Sequence, residues 1–150
     1  MTSSSDAQGT TAGAPQGARI LLYSDDLTVR DAVRAAVGRR PARDVTVASW
    51  RECATAAGVI EAVEADHFDL LILDGEAAPV GGLGLCRQLK NEIFRCPPIL
   101  VLTGRPQDGW LAAWSLADHA VPHPLDPMAL AATVAEALRS PAAASPTPAS

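Results

Sequence analysis

Apolar and polar positions alternate along this chain in blocks. Ile20-Leu21-Leu22-Tyr23 is a continuous apolar run that ends on Ser24-Asp25-Asp26. Leu70-Leu71-Ile72-Leu73 is a second run, ending on Asp74-Gly75, and Ile99-Leu100-Val101-Leu102 a third, ending on Thr103-Gly104. Short continuous runs predict strands buried on both faces of a parallel sheet. Val45-Thr46-Val47 and Ala120-Val121 predict two shorter strands. Helical spacing fills the gaps. Val29, Val33 and Val37 recur every four residues, and Gly38 can end that helix. Val59, Ile60 and Val63 predict a second helix within 50–65. Leu83, Leu85, Leu89 and Ile93 predict a third, and Trp110, Leu111 and Trp114 a fourth. In the fifth, Asp126 suits the N-cap, Pro127 the first helical position, and Leu130, Val134 and Leu138 one face. The alternation predicts a doubly wound (βα)5 architecture of the α/β class, with right-handed crossovers and helices on both faces of a five-stranded parallel sheet.

Residues 1–18 and 140–150 carry almost no large apolar side chains, and the prolines of SPAAASPTPAS stop any helix. Both read as disordered tails around a domain of 19–139. The chain has 150 residues and a formal net charge of −5, without the basic patch that nucleic-acid binding needs. No apolar run is long enough to span a membrane, and the N-terminus lacks a secretory pattern. The expected location is cytoplasmic. Cys53, Cys86 and Cys96 show no paired metal-ligand spacing and read as reduced thiols. Lys90 is the sole lysine; the other eleven basic residues are arginines.

In an open α/β sheet the strand C-termini share one edge, where ligands bind. That edge gathers Asp25, Asp26, Asp74 and Thr103. Close carboxylates repel one another, and a hard cation such as Mg²⁺ relieves the repulsion. A carboxylate beside Mg²⁺ can attack phosphorus, and the Thr103 hydroxyl can donate to a phosphoryl oxygen. Asp also follows strands for a simpler reason, because it suits turns and helix caps.

On these residues the 19–139 body resembles the receiver domain of two-component response regulators, the flavodoxin-like fold of single-domain chemotaxis regulators. "LLYSDD" matches the acidic pair, Asp25 and Asp26; "LLILDGE" matches the phospho-acceptor, Asp74. Gly82-Leu83 matches the opening of helix three, Thr103 the hydroxyl after strand four, and His123-Pro124 in "AVPHPLDP" the family's Lys-Pro. The resemblance implies that Asp74 accepts a phosphoryl group from a histidine kinase or a small acyl phosphate. It implies Mg²⁺ held by Asp25, Asp26, Asp74 and the backbone carbonyl of Glu76. It makes the chain a signalling module rather than an enzyme, with output by protein contact, since no DNA-binding domain follows residue 139. The surface of helix four, strand five and helix five would carry the partner interface or a homodimer, with Trp110 and Trp114 as anchors.

The departures are specific. His123 stands where the family has lysine, and imidazole is shorter and mostly neutral near pH 7. Lys90 sits in helix three, far in sequence from that loop. Arg105 reads as a loop arginine rather than a replacement. The proline of the acceptor loop is shifted, to Pro79. Ala120 occupies the place of the switch aromatic. The chain therefore reads as an atypical receiver, similar to stand-alone actinobacterial ones. The alternative is a phosphorylation-independent module that binds a partner constitutively. A small phosphatase has little support, since there is no phosphate-binding glycine motif and no separate general acid.

Overall fold

The computed structural model describes residues 17–105 and 109–139. Five strands and five helices alternate: β1 (Ala18–Tyr23), α1 (Leu27–Val37), β2 (Val47–Cys53), α2 (Ala56–Ala65), β3 (Leu70–Asp74), α3 (Gly82–Glu92), β4 (Ile99–Thr103), α4 (Gly109–Trp114), β5 (His119–Pro122) and α5 (Pro127–Arg139). The strands form one sheet in the order β2-β1-β3-β4-β5, every neighbouring pair parallel. This is the doubly wound (βα)5 architecture that the alternation of apolar runs and helical spacing predicts. Apart from Gly17 and Ala18, the predicted tails lie outside the described residues.

The three continuous apolar runs become the three inner strands, and each divides its side chains between two cores. Ile20, Leu22, Leu70, Ile72, Leu100 and Leu102 face α1 and α5, where they meet Val33, Val37, Leu130 and Val134. Leu21, Tyr23, Leu71, Leu73, Ile99 and Val101 face the other way, onto Val59 of α2, Leu85 and Leu89 of α3 and Ala112 of α4. Burial on both sides removes any need for alternation, so these strands read as unbroken hydrophobic runs.

The caps fall where the sequence places them. The Asp26 carboxylate accepts from the Thr28 N–H, and Gly38, at a φ of 64°, closes α1. Asp126 Oδ1 accepts from the Met128 N–H at the head of α5. One boundary differs. The helix expected within 50–65 starts only at Ala56, capped by Thr55, and residues 50–53 belong to β2, with Trp50 opposite Ile20 and Cys53 opposite Tyr23. As an edge strand β2 is half solvated, so polar Arg51 and Glu52 interrupt its apolar residues and mask it. Val45 precedes the strand, in an isolated bridge with Ala42.

Candidate functional site

Parallel pairing brings the ends of β1, β3, β4 and β5 to one edge. There Asp25, Asp26, Val29, Asp74, Glu76, Gly104 and His123 line a cleft of about 360 Å³. Asp74, the last residue of β3, is 2% exposed. A buried carboxylate needs partners for its oxygens. Oδ1 accepts from the Glu76 N–H at 2.9 Å, and Oδ2 from the Ser24 hydroxyl at 2.8 Å. His123 Nε2 stands 3.4 Å from Oδ1, beyond a well-formed hydrogen bond. Thr103 is also buried, and its carbonyl accepts from the His123 N–H at 2.8 Å, which fixes the start of the β5–α5 loop against β4. The His123–Pro124 peptide is cis, as is Ala78–Pro79.

Glycines permit the close approaches around Asp74. A Cβ on Gly82 would stand 2.6 Å from the Asp74 carbonyl oxygen, so the head of α3 rests directly on the end of β3. A Cβ on Gly104 would meet Glu76 Oε2 at 2.5 Å, so the Glu76 carboxylate lies over the chain after Thr103.

The two acids after β1 do different things. Asp25 Oδ1 accepts from the Ala78 N–H of the β3–α3 loop at 3.1 Å. Asp26 Oδ1 caps α1 through the Thr28 N–H at 2.8 Å. Both line the cleft with Asp74 and Glu76, so the acidic side chains there offer only oxygen donors. That chemistry fits a hard cation such as Mg²⁺. Among the described residues no three acidic, histidine or cysteine side chains already converge as a metal-binding group. Asp25 and Asp26 each accept these hydrogen bonds on Oδ1, which leaves Oδ2 of both for a cation.

Three participants were not anticipated from the sequence: Ser24, Tyr23 and Arg30. Ser24 is fully buried. Tyr23, also fully buried, donates to the Val80 carbonyl at 2.5 Å and so ties β1 to the β3–α3 loop. Burial, and then the nearby Asp25 and Asp74 charges, push its phenol above the ordinary value. Arg30 of α1 donates to the Ser24 carbonyl at 2.7 Å and to Glu52 of β2 at 2.9 Å. Burial pushes the Glu52 carboxyl up, but hydrogen bonds from Arg30 and Arg34 outweigh it, leaving the group below its ordinary value. The readable signal was the hydroxyl of Ser24 at a strand C-terminus, the same placement that marked Thr103.

The remaining candidates lie elsewhere. Lys90 is at the opposite edge of the sheet, with Nζ 2.6 Å from Asp118 Oδ2. Ala120 is exposed on β5. Trp110 and Trp114 are 68% and 47% exposed on α4, so neither is core. The Arg87 guanidinium lies 5.0 Å from the Trp114 ring.

A β2-β1-β3-β4-β5 parallel sheet with acids after β1 and at the end of β3 and a hydroxyl at the end of β4 defines a receiver-type domain. Solved structures agree on the fold. A receiver domain of a Francisella response regulator superposes with a TM-score of 0.68 at 12% identity, over 82% of this chain and 98% of that one. A CheY-like receiver domain protein from Methanospirillum hungatei gives 0.66 at 19% identity, over 86% and 99%. No family model matches the chain. A response regulatory protein of Mycobacterium tuberculosis, itself uncharacterized, is 52% identical over 124 residues, which cover 83% of this chain and 93% of the relative. The chain belongs to the response regulators of two-component signalling, and its folded body is their receiver domain. Receiver domains act as signalling modules rather than as classical enzymes. No helix among the described residues is long and apolar enough to cross a membrane.

Proposed function

We propose that Asp74 is a phospho-acceptor, and that this receiver passes the signal on by protein contact. The observation that carries the reading is a single buried carboxylate at the floor of a polar cleft, with both oxygens held by fixed donors. Orientation of this kind removes much of the entropic cost of attack. A histidine kinase or a small acyl phosphate supplies the phosphoryl group. Asp25, Asp26, Asp74 and the Glu76 carbonyl hold Mg²⁺, which when bound neutralises charge between carboxylate and phosphate. The Thr103 hydroxyl donates to a phosphoryl oxygen, and His123 stands beside it in place of a full cation. With only an imidazole there, phosphorylation is slow. Trp110 and Trp114 are the anchors of the partner surface on α4, which also suits a second copy of the chain.

The alternative, a constitutive binding module, draws on two observations. The sole lysine is committed to Asp118, and no aromatic ring stands at Ala120 to report a change at Thr103. Intact mass after incubation with acetyl phosphate decides between the two. A Mg²⁺-dependent gain of one phosphoryl group, absent in Asp74→Ala, is the expected result. No gain, together with no Mg²⁺ binding at millimolar concentration, would favour the constitutive module.

A further inference from the structure

We propose that Ser24 is a positioning residue for Asp74, and that it selects Oδ1 as the attacking oxygen. The inference rests on Asp74 as the phospho-acceptor and says how that carboxylate is aimed.

Ser24 is held on every side. Its N–H donates to the Cys53 carbonyl at 3.2 Å, and its carbonyl accepts from Arg30 at 2.7 Å. Its hydroxyl oxygen accepts from the Asp26 N–H at 3.1 Å. A serine hydroxyl has one proton to donate. Here it goes to Asp74 Oδ2 at 2.8 Å, inside a fully buried site. A donor fixed by its own neighbours fixes its acceptor in turn.

The two oxygens of Asp74 are therefore not equivalent. The partners of Oδ1, Glu76 and His123, both line the cleft. Ser24, the partner of Oδ2, is not among the cleft's lining residues and has no exposed surface. A phosphoryl donor in the cleft thus meets Oδ1. In the transfer the Oδ1–P bond forms as the P–O bond of the acyl phosphate breaks. The bonding pair leaves on the carboxylate product, and no proton has to move. Throughout, the Ser24 hydroxyl stays on Oδ2, which becomes the carbonyl oxygen of the acyl phosphate on Asp74. This hydrogen bond resists rotation of the carboxylate about Cβ–Cγ, which would exchange the two oxygens.

The test is the rate of phosphoryl gain from acetyl phosphate, with Mg²⁺, as donor concentration is varied. Wild type, Ser24→Ala, Ser24→Cys and Asp74→Ala are compared, with thermal melts to confirm folding. Ser24→Ala is expected to lower the saturating rate about tenfold, the scale of one hydrogen bond to a charged group, while half-saturation and the final stoichiometry stay unchanged. Ser24→Cys, a weaker donor, should fall between alanine and wild type. A variant that only loosened the fold would lose stoichiometry instead. An unchanged rate in a folded Ser24→Ala, with wild type phosphorylated on Asp74, overturns the role of Ser24 and leaves Asp74 as acceptor. No Asp74-dependent gain in wild type overturns both. If neither Ser24 variant folds, the hydroxyl proton of wild-type Ser24 decides by NMR. Slow exchange with water and a coupling across to the Asp74 carboxyl are expected, and rapid exchange overturns the proposal.

Discussion

At the N-terminal edge of the sheet Lys90 Nζ lies 2.6 Å from Asp118 Oδ2; at the C-terminal edge His123 Nε2 lies 3.4 Å from Asp74 Oδ1. Both contacts set a basic side chain against an acidic one. The first is tight, and Asp118 Oδ2 also accepts the Ile99 N–H at 2.8 Å, so α3 and the starts of β4 and β5 are pinned together. The second is loose, and the carboxylate depends on Ser24 and a backbone N–H instead. The sole lysine is thus placed where it holds the fold. The acceptor carboxylate is left with a hydroxyl, a backbone N–H and a loosely held imidazole that a ligand can displace.

The largest expected effect tests whether the looseness at the C-terminal edge extends to the backbone. Gly82→Ala puts a Cβ within 2.6 Å of the Asp74 carbonyl oxygen and 2.7 Å of its carbon, both main-chain atoms that cannot swing aside. Overpacking of this kind is expected to cost about 3 kcal/mol in urea unfolding. A loss within error would show that the head of α3 yields as easily as the side chains beside it. Next comes the N-terminal edge. Lys90→Met removes the cation and leaves a partly buried Asp118 with only a backbone donor, at an expected cost of about 2 kcal/mol. The rate of phosphoryl gain should not move. A fall in that rate without a fall in stability would erase the division between the two edges.

His123→Lys closes the contrast from the other side. It gives the acceptor the cation that the N-terminal edge already has. About tenfold faster phosphorylation by acetyl phosphate is expected, since one charge-assisted hydrogen bond to the incoming phosphoryl group is of that order. A rate at or below wild type would mean that the imidazole already serves, or that the position is out of reach of the phosphoryl group.

What the sequence made legible follows the same physics. Strands β1, β3 and β4 were readable because burial on two faces demands continuous apolar residues, and α1 and α5 because their apolar spacing is bounded by Gly38 and Asp126. The end of β2 was not readable. Trp50, Arg51 and Glu52 lie on an edge strand, where one row of side chains faces solvent, and local pattern favoured a helix. At the site Asp74 and Thr103 could be placed from strand ends, and His123 from its match to the family's Lys-Pro. Ser24 could not. Its importance comes from a hydrogen bond to a residue 50 positions away, which only the pairing of β1 with β3 creates. Asp26 shows the converse, since its side chain serves the local helix start as well as the cleft.

The smallest effect concerns a second ion pair among the strand starts. Arg19, in β1, donates to both oxygens of Asp66 at 2.9 and 3.0 Å, and its guanidinium lies 5.3 Å from the Phe68 ring. The Arg19 hydrogen bonds, and then the His67 N–H, hold the Asp66 carboxyl at about 2, below the ordinary value of 3.8. A carboxyl held low when folded binds fewer protons than when unfolded, so its stabilising effect is present above 3.8 and fades as pH falls toward about 2. Both side chains are 41% exposed, so salt and water screen the pair and the effect is small. Asp66→Asn is expected to lower Tm slightly at neutral pH and low salt. The gap to wild type should narrow on acidification and on adding salt. A gap that persists at pH about 2 would assign the Arg19 contact to packing on Phe68 rather than to charge, and leave Lys90–Asp118 as the ion pair that holds this edge.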